Sequence, residues 1–170
     1  MSGWPGLFLD VFLELLAGVI VACVFRRAVA GFVSQGQTNV TVMLARLGPY
    51  AAFLQIILGA AYRREIRGIM PHMAGAAIVT SIVLILCVQL IQQESGVQKP
   101  AIAAMAILLV QVSLGIATFI LQLLDLDKTS WFTALSDAHI ATGAIMLAAT
   151  ISLRRLVIGD PAAHRQNSRP

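Results

Sequence analysis

The chain has 170 residues, 58% of them hydrophobic and 12% charged, with a mean hydropathy of +0.84. Soluble domains carry about 25% charged residues, so a water-soluble domain of useful size is excluded and the composition points to a bilayer. The formal charge of +4 comes from loop and tail arginines, with no basic run interleaved with aromatics, which gives no support to nucleic-acid binding.

In chain order, residues 1–42 form an N-terminal apolar helix and loop. Leu15–Phe25 is uninterrupted and closed by Arg26 and Arg27, while Asp10 and Glu14 interrupt the region before it. Leu7–Phe25 reads as a short, tilted fifth span. The alternative is an interfacial helix, although such helices usually carry basic rather than acidic residues on the polar face. There is no basic stretch ahead of this run and no small-residue cleavage site after it, so a cleaved signal peptide is not expected.

Four spans follow within 43–157, at residues 43–62, 70–92, 101–124 and 137–157. Each has the ~20 apolar residues needed to cross a ~30 Å hydrocarbon core as a helix. Lone strands are ruled out in lipid because their backbone groups would be unpaired. Arg63–Ile69, Glu94–Pro100 and Asp125–Ser136 are short connections, with Gly96 and Pro100 as breakers and Asp137 as the expected cap of the last span. Short connections imply antiparallel neighbours. The expected fold is therefore an all-α integral membrane protein, an antiparallel four-helix transmembrane bundle with one extra N-terminal helix. Residues 158–170 form a polar tail.

Arg46, Lys99, Arg154, Arg155, Arg165 and Arg169 fall on one side of this bundle, and Arg63, Arg64, Arg67 and Lys128 on the other. The positive-inside bias then puts the C-terminus in the cytoplasm. Cys23 and Cys87 lie in apolar segments without ligand-like spacing and read as small hydrophobic residues. His164 reads as a solvated tail residue.

His72 and His139 each stand near the start of an apolar stretch, with one span between them. The two His-bearing helices then run in the same direction, and the imidazoles lie level near the outer face. Ionisable groups inside membrane helices are functional candidates. Two level imidazoles in a helical bundle are what an axially bis-His-ligated haem requires.

The spans also repeat. Leu54-Gln55-x-x-Leu58-Gly59 in the first corresponds to Val110-Gln111-x-x-Leu114-Gly115 in the third. His72-Met73-Ala74-Gly75-Ala76 in the second corresponds to His139-Ile140-Ala141-Thr142-Gly143 in the fourth. Small residues one turn from each histidine, Gly75 and Gly143, leave room for a porphyrin edge, and Gly59 and Gly115 are candidates for the same use. Tight helix packing is the alternative for these glycines. For Gln55 and Gln111 the choices are inter-helix hydrogen bonds or contact with a haem or its ligand. Arg63, Arg64 and Arg67 lie close in sequence to His72 and are candidate partners for haem propionates, with lipid headgroups the alternative.

On LQIILGAAYRR, PHMAGAAIV, LLVQVSLGIAT and AHIATGA, residues 48–157 resemble the haem A synthase family, specifically its C-terminal four-helix half. That half is thought to hold a haem b that passes electrons. The resemblance implies that His72 and His139 are the two axial ligands of a haem b iron. The glutamate that precedes the first ligand histidine in the family's substrate-oxidising half is missing, Ile69 standing three residues before His72. The family's extracellular cysteine pair is missing as well.

The resemblance thus implies an electron-transferring protein of haem A biosynthesis or cytochrome oxidase assembly. Oxidoreductase activity of the haem A synthase type would need a second four-helix half, from another copy or a partner subunit. Its setting would be lipid, in a bacterial inner membrane. The competing expectation is a cofactor-free assembly or scaffold subunit of a respiratory complex. A small transporter is disfavoured, because broken helices and mid-depth charge are absent from the pattern.

Overall fold

A computed structural model describes residues 39–66, 68–92 and 96–159. The expected N-terminal helix, Arg67, His164 and the polar tail lie outside the described residues. Among the described residues there are four helices: α1 (Asn39–Arg63), α2 (Ile69–Ile91), α3 (Gln98–Leu123) and α4 (Ser130–Ile158). All four are long and apolar enough to cross a membrane, and no strand occurs among the described residues. The chain is in this sense an all-helical integral membrane protein. Large apolar side chains such as Leu109, Ile116 and Leu123 face outward, more than half exposed, as lipid-facing residues should. Exposed Trp131 sits at a helix end, where aromatic residues meet the membrane interface.

The helices close in a ring, α1 against α2, α2 against α3, α3 against α4 and α4 back against α1. Short links between successive helices make their directions alternate.

Two boundaries differ from the sequence expectation. The last helix starts at Ser130, not Asp137, and Thr129 is its cap, accepting from the Phe132 N–H at 3.2 Å. Asp137 is therefore an exposed residue in the helix interior. No Gly or Pro interrupts Ser130–His139, so a polar stretch that reads as loop simply extends the helix. His139 consequently lies more than two turns into α4, whereas His72 lies in the first turn of α2. Pro100 starts a helix rather than breaking one: it lies in the first turn of α3, where its missing N–H has no helical partner to lose. Removing the cap with Thr129→Ala is expected to cost about 1 kcal/mol, read as a modest fall in thermal stability in detergent with helix content otherwise kept.

The ends of α1 and α3 are built alike. Ile66 N–H donates to the Ala61 carbonyl at 3.0 Å, and Leu126 N–H to the Leu121 carbonyl at 2.9 Å. In each closure an acidic residue, Glu65 at φ 56° or Asp125 at φ 54°, takes the left-handed position usually filled by glycine.

Packing is uneven along the bundle axis. At one end Ala45, Val83, Leu86, Cys87, Leu90, Val97, Ala101 and Leu153 are fully buried. Toward the other end, none of the described residues of α2 before Val79, of α3 after Leu108 or of α4 before Ala144 is fully buried. The bundle is thus more deeply buried at one end than at the other, where Ile56, Ala60 and Ala61 of α1 are the buried side chains, and both histidines stand at that less buried end.

Candidate functional site: a histidine pair in the open end of the bundle

The structure brings His72 and His139 together. Their ring centroids are 6.4 Å apart and their planes are nearly perpendicular, at 85°. Both residues are half-buried.

Each Nδ1 is occupied by a neighbouring helix. His139 Nδ1 lies 3.1 Å from the Gln111 backbone carbonyl on α3. A carbonyl only accepts, so this nitrogen carries the proton and donates. His72 Nδ1 lies 3.0 Å from the Gln55 side-chain nitrogen on α1, which also donates to the His72 carbonyl at 2.9 Å. In both residues Nε2 is the nitrogen left over for other chemistry.

The glycines beside the histidines explain how the rings fit. A Cβ on Gly59 would stand 3.1 Å from His72 Cε1, and one on Gly115 would stand 2.9 Å from His139 Cε1. Each imidazole therefore lies with one edge over a glycine of the adjacent helix. A Cβ on Gly75 would collide with Gln55 Oε1 and approach Leu58 Cδ1 at 2.8 Å, while one on Gly143 would meet Gln111 Nε2 at 3.3 Å. The four glycines named from sequence thus border the histidines or the glutamines that face them.

The two glutamines behave differently. The Thr142 hydroxyl, with one proton to give, lies within hydrogen-bonding distance of the Gln111 side-chain oxygen and of the Ala138 and His139 carbonyls. Gln55 has no such neighbour, because Gly75 occupies the place that Thr142 takes in α4, three residues after the histidine. Gln55 Oε1 is buried without any hydrogen-bond partner. An orphaned buried acceptor costs about 1–3 kcal/mol.

Tyr62 was not evident as a site residue from sequence. Its ring stacks on His72, centroids 6.2 Å apart and planes 11° from parallel. Its hydroxyl donates to Gln122 on α3, bridging the bundle diagonal beside the histidines. The usable signal was spacing: Gln55, Gly59 and Tyr62 recur at helical intervals on one face of α1.

Arg63 ends α1 and Arg64 follows it at this same end, with Arg63 exposed and Arg64 half-buried. Asp125, Asp127 and Lys128 lie in the link from α3 to α4, also at this end, and are exposed.

The ring separation bears on metal ligation. A metal–imidazole nitrogen bond is about 2 Å and the ring centroid lies about 1 Å behind the nitrogen, so two imidazoles on one metal have centroids about 6 Å apart. The observed 6.4 Å is close to that separation. Among the described residues no group of three or more His, Cys, Asp or Glu side chains converges. The donors that the structure brings together are the two histidines.

No family model, curated protein or solved structure matches the chain.

Proposed function

We propose that the protein is a haem b-binding, electron-transferring membrane protein in which His72 and His139 are the axial ligands. The observation that carries this reading is the pair of imidazoles 6.4 Å apart at the less buried end of the bundle. His72 and His139 would hold the iron, and the bound group would supply one-electron transfer rather than oxygen chemistry. The chain's own part is to hold both rings by Nδ1 and to keep small residues at the ring edges.

The four helices are read as two copies of one helix pair. Glycine-seated histidines recur in both pairs, and so does the acidic left-handed closure at the ends of α1 and α3. The resemblance to the electron-transferring half of the haem A synthase family gives the biological setting, support of haem A formation or oxidase assembly. A redox partner and a second four-helix half, from another copy or another subunit, complete that role. Orientation follows the positive-inside bias. Arg46, Lys99, Arg154 and Arg155 belong to the more deeply buried end of the bundle, which on this reading faces the cytoplasm of a bacterial inner membrane, with the histidines toward the outer face.

The test is a reduced-minus-oxidised absorbance spectrum of the detergent-purified protein, with extraction and quantitation of pigment. Sharp low-spin bands and about one haem b per chain are expected. Protein that stays colourless after expression with ample haem would favour a cofactor-free assembly subunit instead.

Arg63, Arg64 and Arg67 are assigned to the haem propionates on this reading, since guanidinium groups pair well with carboxylates. Changing all three to Gln is expected to lower haem retention severalfold on dilution in detergent and to shift the midpoint potential. Unchanged retention and potential would remove them from the site.

A further inference from the structure

We infer that Gln55 is a positioning residue that makes the two histidines unequal ligands, with His139 standing ready and His72 released for ligation only when the Gln55 amide turns. The inference rests on the haem-binding reading and goes beyond it in assigning an order to the ligands and a residue that controls it.

A neutral imidazole carries one proton, so whichever nitrogen accepts a hydrogen bond leaves the proton on the other. His139 Nδ1 faces a carbonyl, which fixes its proton there and leaves a lone pair on Nε2. His72 Nδ1 faces the Gln55 amide nitrogen, a donor, so the His72 proton sits on Nε2 and blocks the lone pair that iron needs. The two rings are thus held in opposite tautomers, 6.4 Å apart.

A half-turn of the Gln55 amide reverses the state of His72. Oε1 then accepts from a protonated Nδ1, and Nε2 of the ring becomes free to bind. Amide oxygen and nitrogen are nearly equal in size, so the turn needs no repacking. It gives up the bond to the His72 carbonyl, which favours the resting state until iron is present. It also sets Oε1 against the His72 carbonyl oxygen and moves the amide NH2 into the place where Oε1 had no partner, so the turned state stands only when the iron–Nε2 bond offsets both costs.

The sequence difference behind this asymmetry is local. On α4, Thr142 engages Gln111 and holds its side chain away from His139. On α2, Gly75 offers nothing, and its missing Cβ is what admits the Gln55 amide at all. An acceptor on the far nitrogen of a ligating histidine fixes its tautomer and raises its basicity, so Gln55 also tunes the iron potential.

The test uses the full chain in detergent micelles, with haemin as the probe. In metal-free protein labelled with ¹⁵N-histidine, at a pH where the rings are neutral, His72 is expected as the Nε2–H tautomer and His139 as Nδ1–H. Gln55→Glu, whose carboxylate only accepts, should convert His72 to Nδ1–H. On adding haemin, the wild type should pass through a five-coordinate species held by His139 before the six-coordinate form appears. Gln55→Glu should shorten that lag severalfold and lower the midpoint potential.

Identical tautomers for the two histidines in the wild type would overturn the inference, as would a Gln55→Glu variant with unaltered tautomer and potential. Opposite tautomers in protein that takes up no haemin would defeat the haem reading, and with it the gating, while leaving the hydrogen-bond assignment of the two rings intact. The two failures are therefore distinguishable.

Discussion

Haem-loaded His72→Ala and His139→Ala proteins are each expected to lose the sharp low-spin spectrum completely. On the haem-binding reading, removing one imidazole would leave iron with a single protein ligand and no route to the six-coordinate state, since no group of three or more His, Cys, Asp or Glu side chains converges among the described residues. The outcomes should differ in degree. His72→Ala keeps the ligand whose lone pair is already free and is expected to retain a five-coordinate haem, convertible to a low-spin form by added imidazole. His139→Ala keeps only the histidine whose tautomer must change and should hold much less pigment. The fold itself should survive both changes. Each half-buried ring contributes about one net hydrogen bond, roughly 1 kcal/mol, and the fully buried residues lie mainly toward the other end of the bundle. A normal low-spin spectrum in either variant would show that its histidine is not a ligand, and equal helix content in the metal-free proteins would rule out misfolding as the cause of pigment loss.

The parts of this arrangement that were legible in sequence are those set by local pattern. Long apolar runs separated by short polar links specify spanning helices, because the bilayer offers no other way to satisfy the backbone. Two histidines separated by one span specify imidazoles on parallel helices, and the structure places those rings together. The start of α4 was hidden because Ser130–Ser136 looks like a loop by composition, whereas its cap, Thr129, and the absence of a breaker make it helix. The unequal packing of the two ends was not legible at all. It depends on which faces meet in three dimensions, and apolar residues stripe both halves of every span. The roles of Gln55 and Gln111 were open for a related reason: the same residue type in the same motif takes different partners, depending on whether the facing helix offers Gly75 or Thr142.

Gly115→Leu and Gly59→Leu are expected to lower haem content tenfold or more while leaving the helices folded. Glycines in membrane helices often serve close helix packing, and that use makes a different prediction. Here the nearest atoms to a Cβ on Gly115 or Gly59 are imidazole atoms, at 2.9 Å and 3.1 Å, rather than a neighbouring backbone. Even a methyl group presses on the ring, and a leucine must displace it. A ligand moved by about 1 Å loses the geometry that a preorganised site supplies. Both imidazoles are only half-buried, so the stability cost without haem should be small, toward the lower end of the ~1–3 kcal/mol seen for overpacking. Two alanine variants provide the contrast. Gly48→Ala at the more deeply buried end makes only ordinary contacts with Thr150, at 3.7 Å, and Gly143→Ala meets Gln111 rather than a ring. Both should keep pigment near the wild-type level. Pigment loss confined to positions 59 and 115, with melting temperatures of the metal-free proteins changed little, would identify those glycines as seats for the histidines. Parallel losses of stability and pigment across all four positions would return them to helix packing.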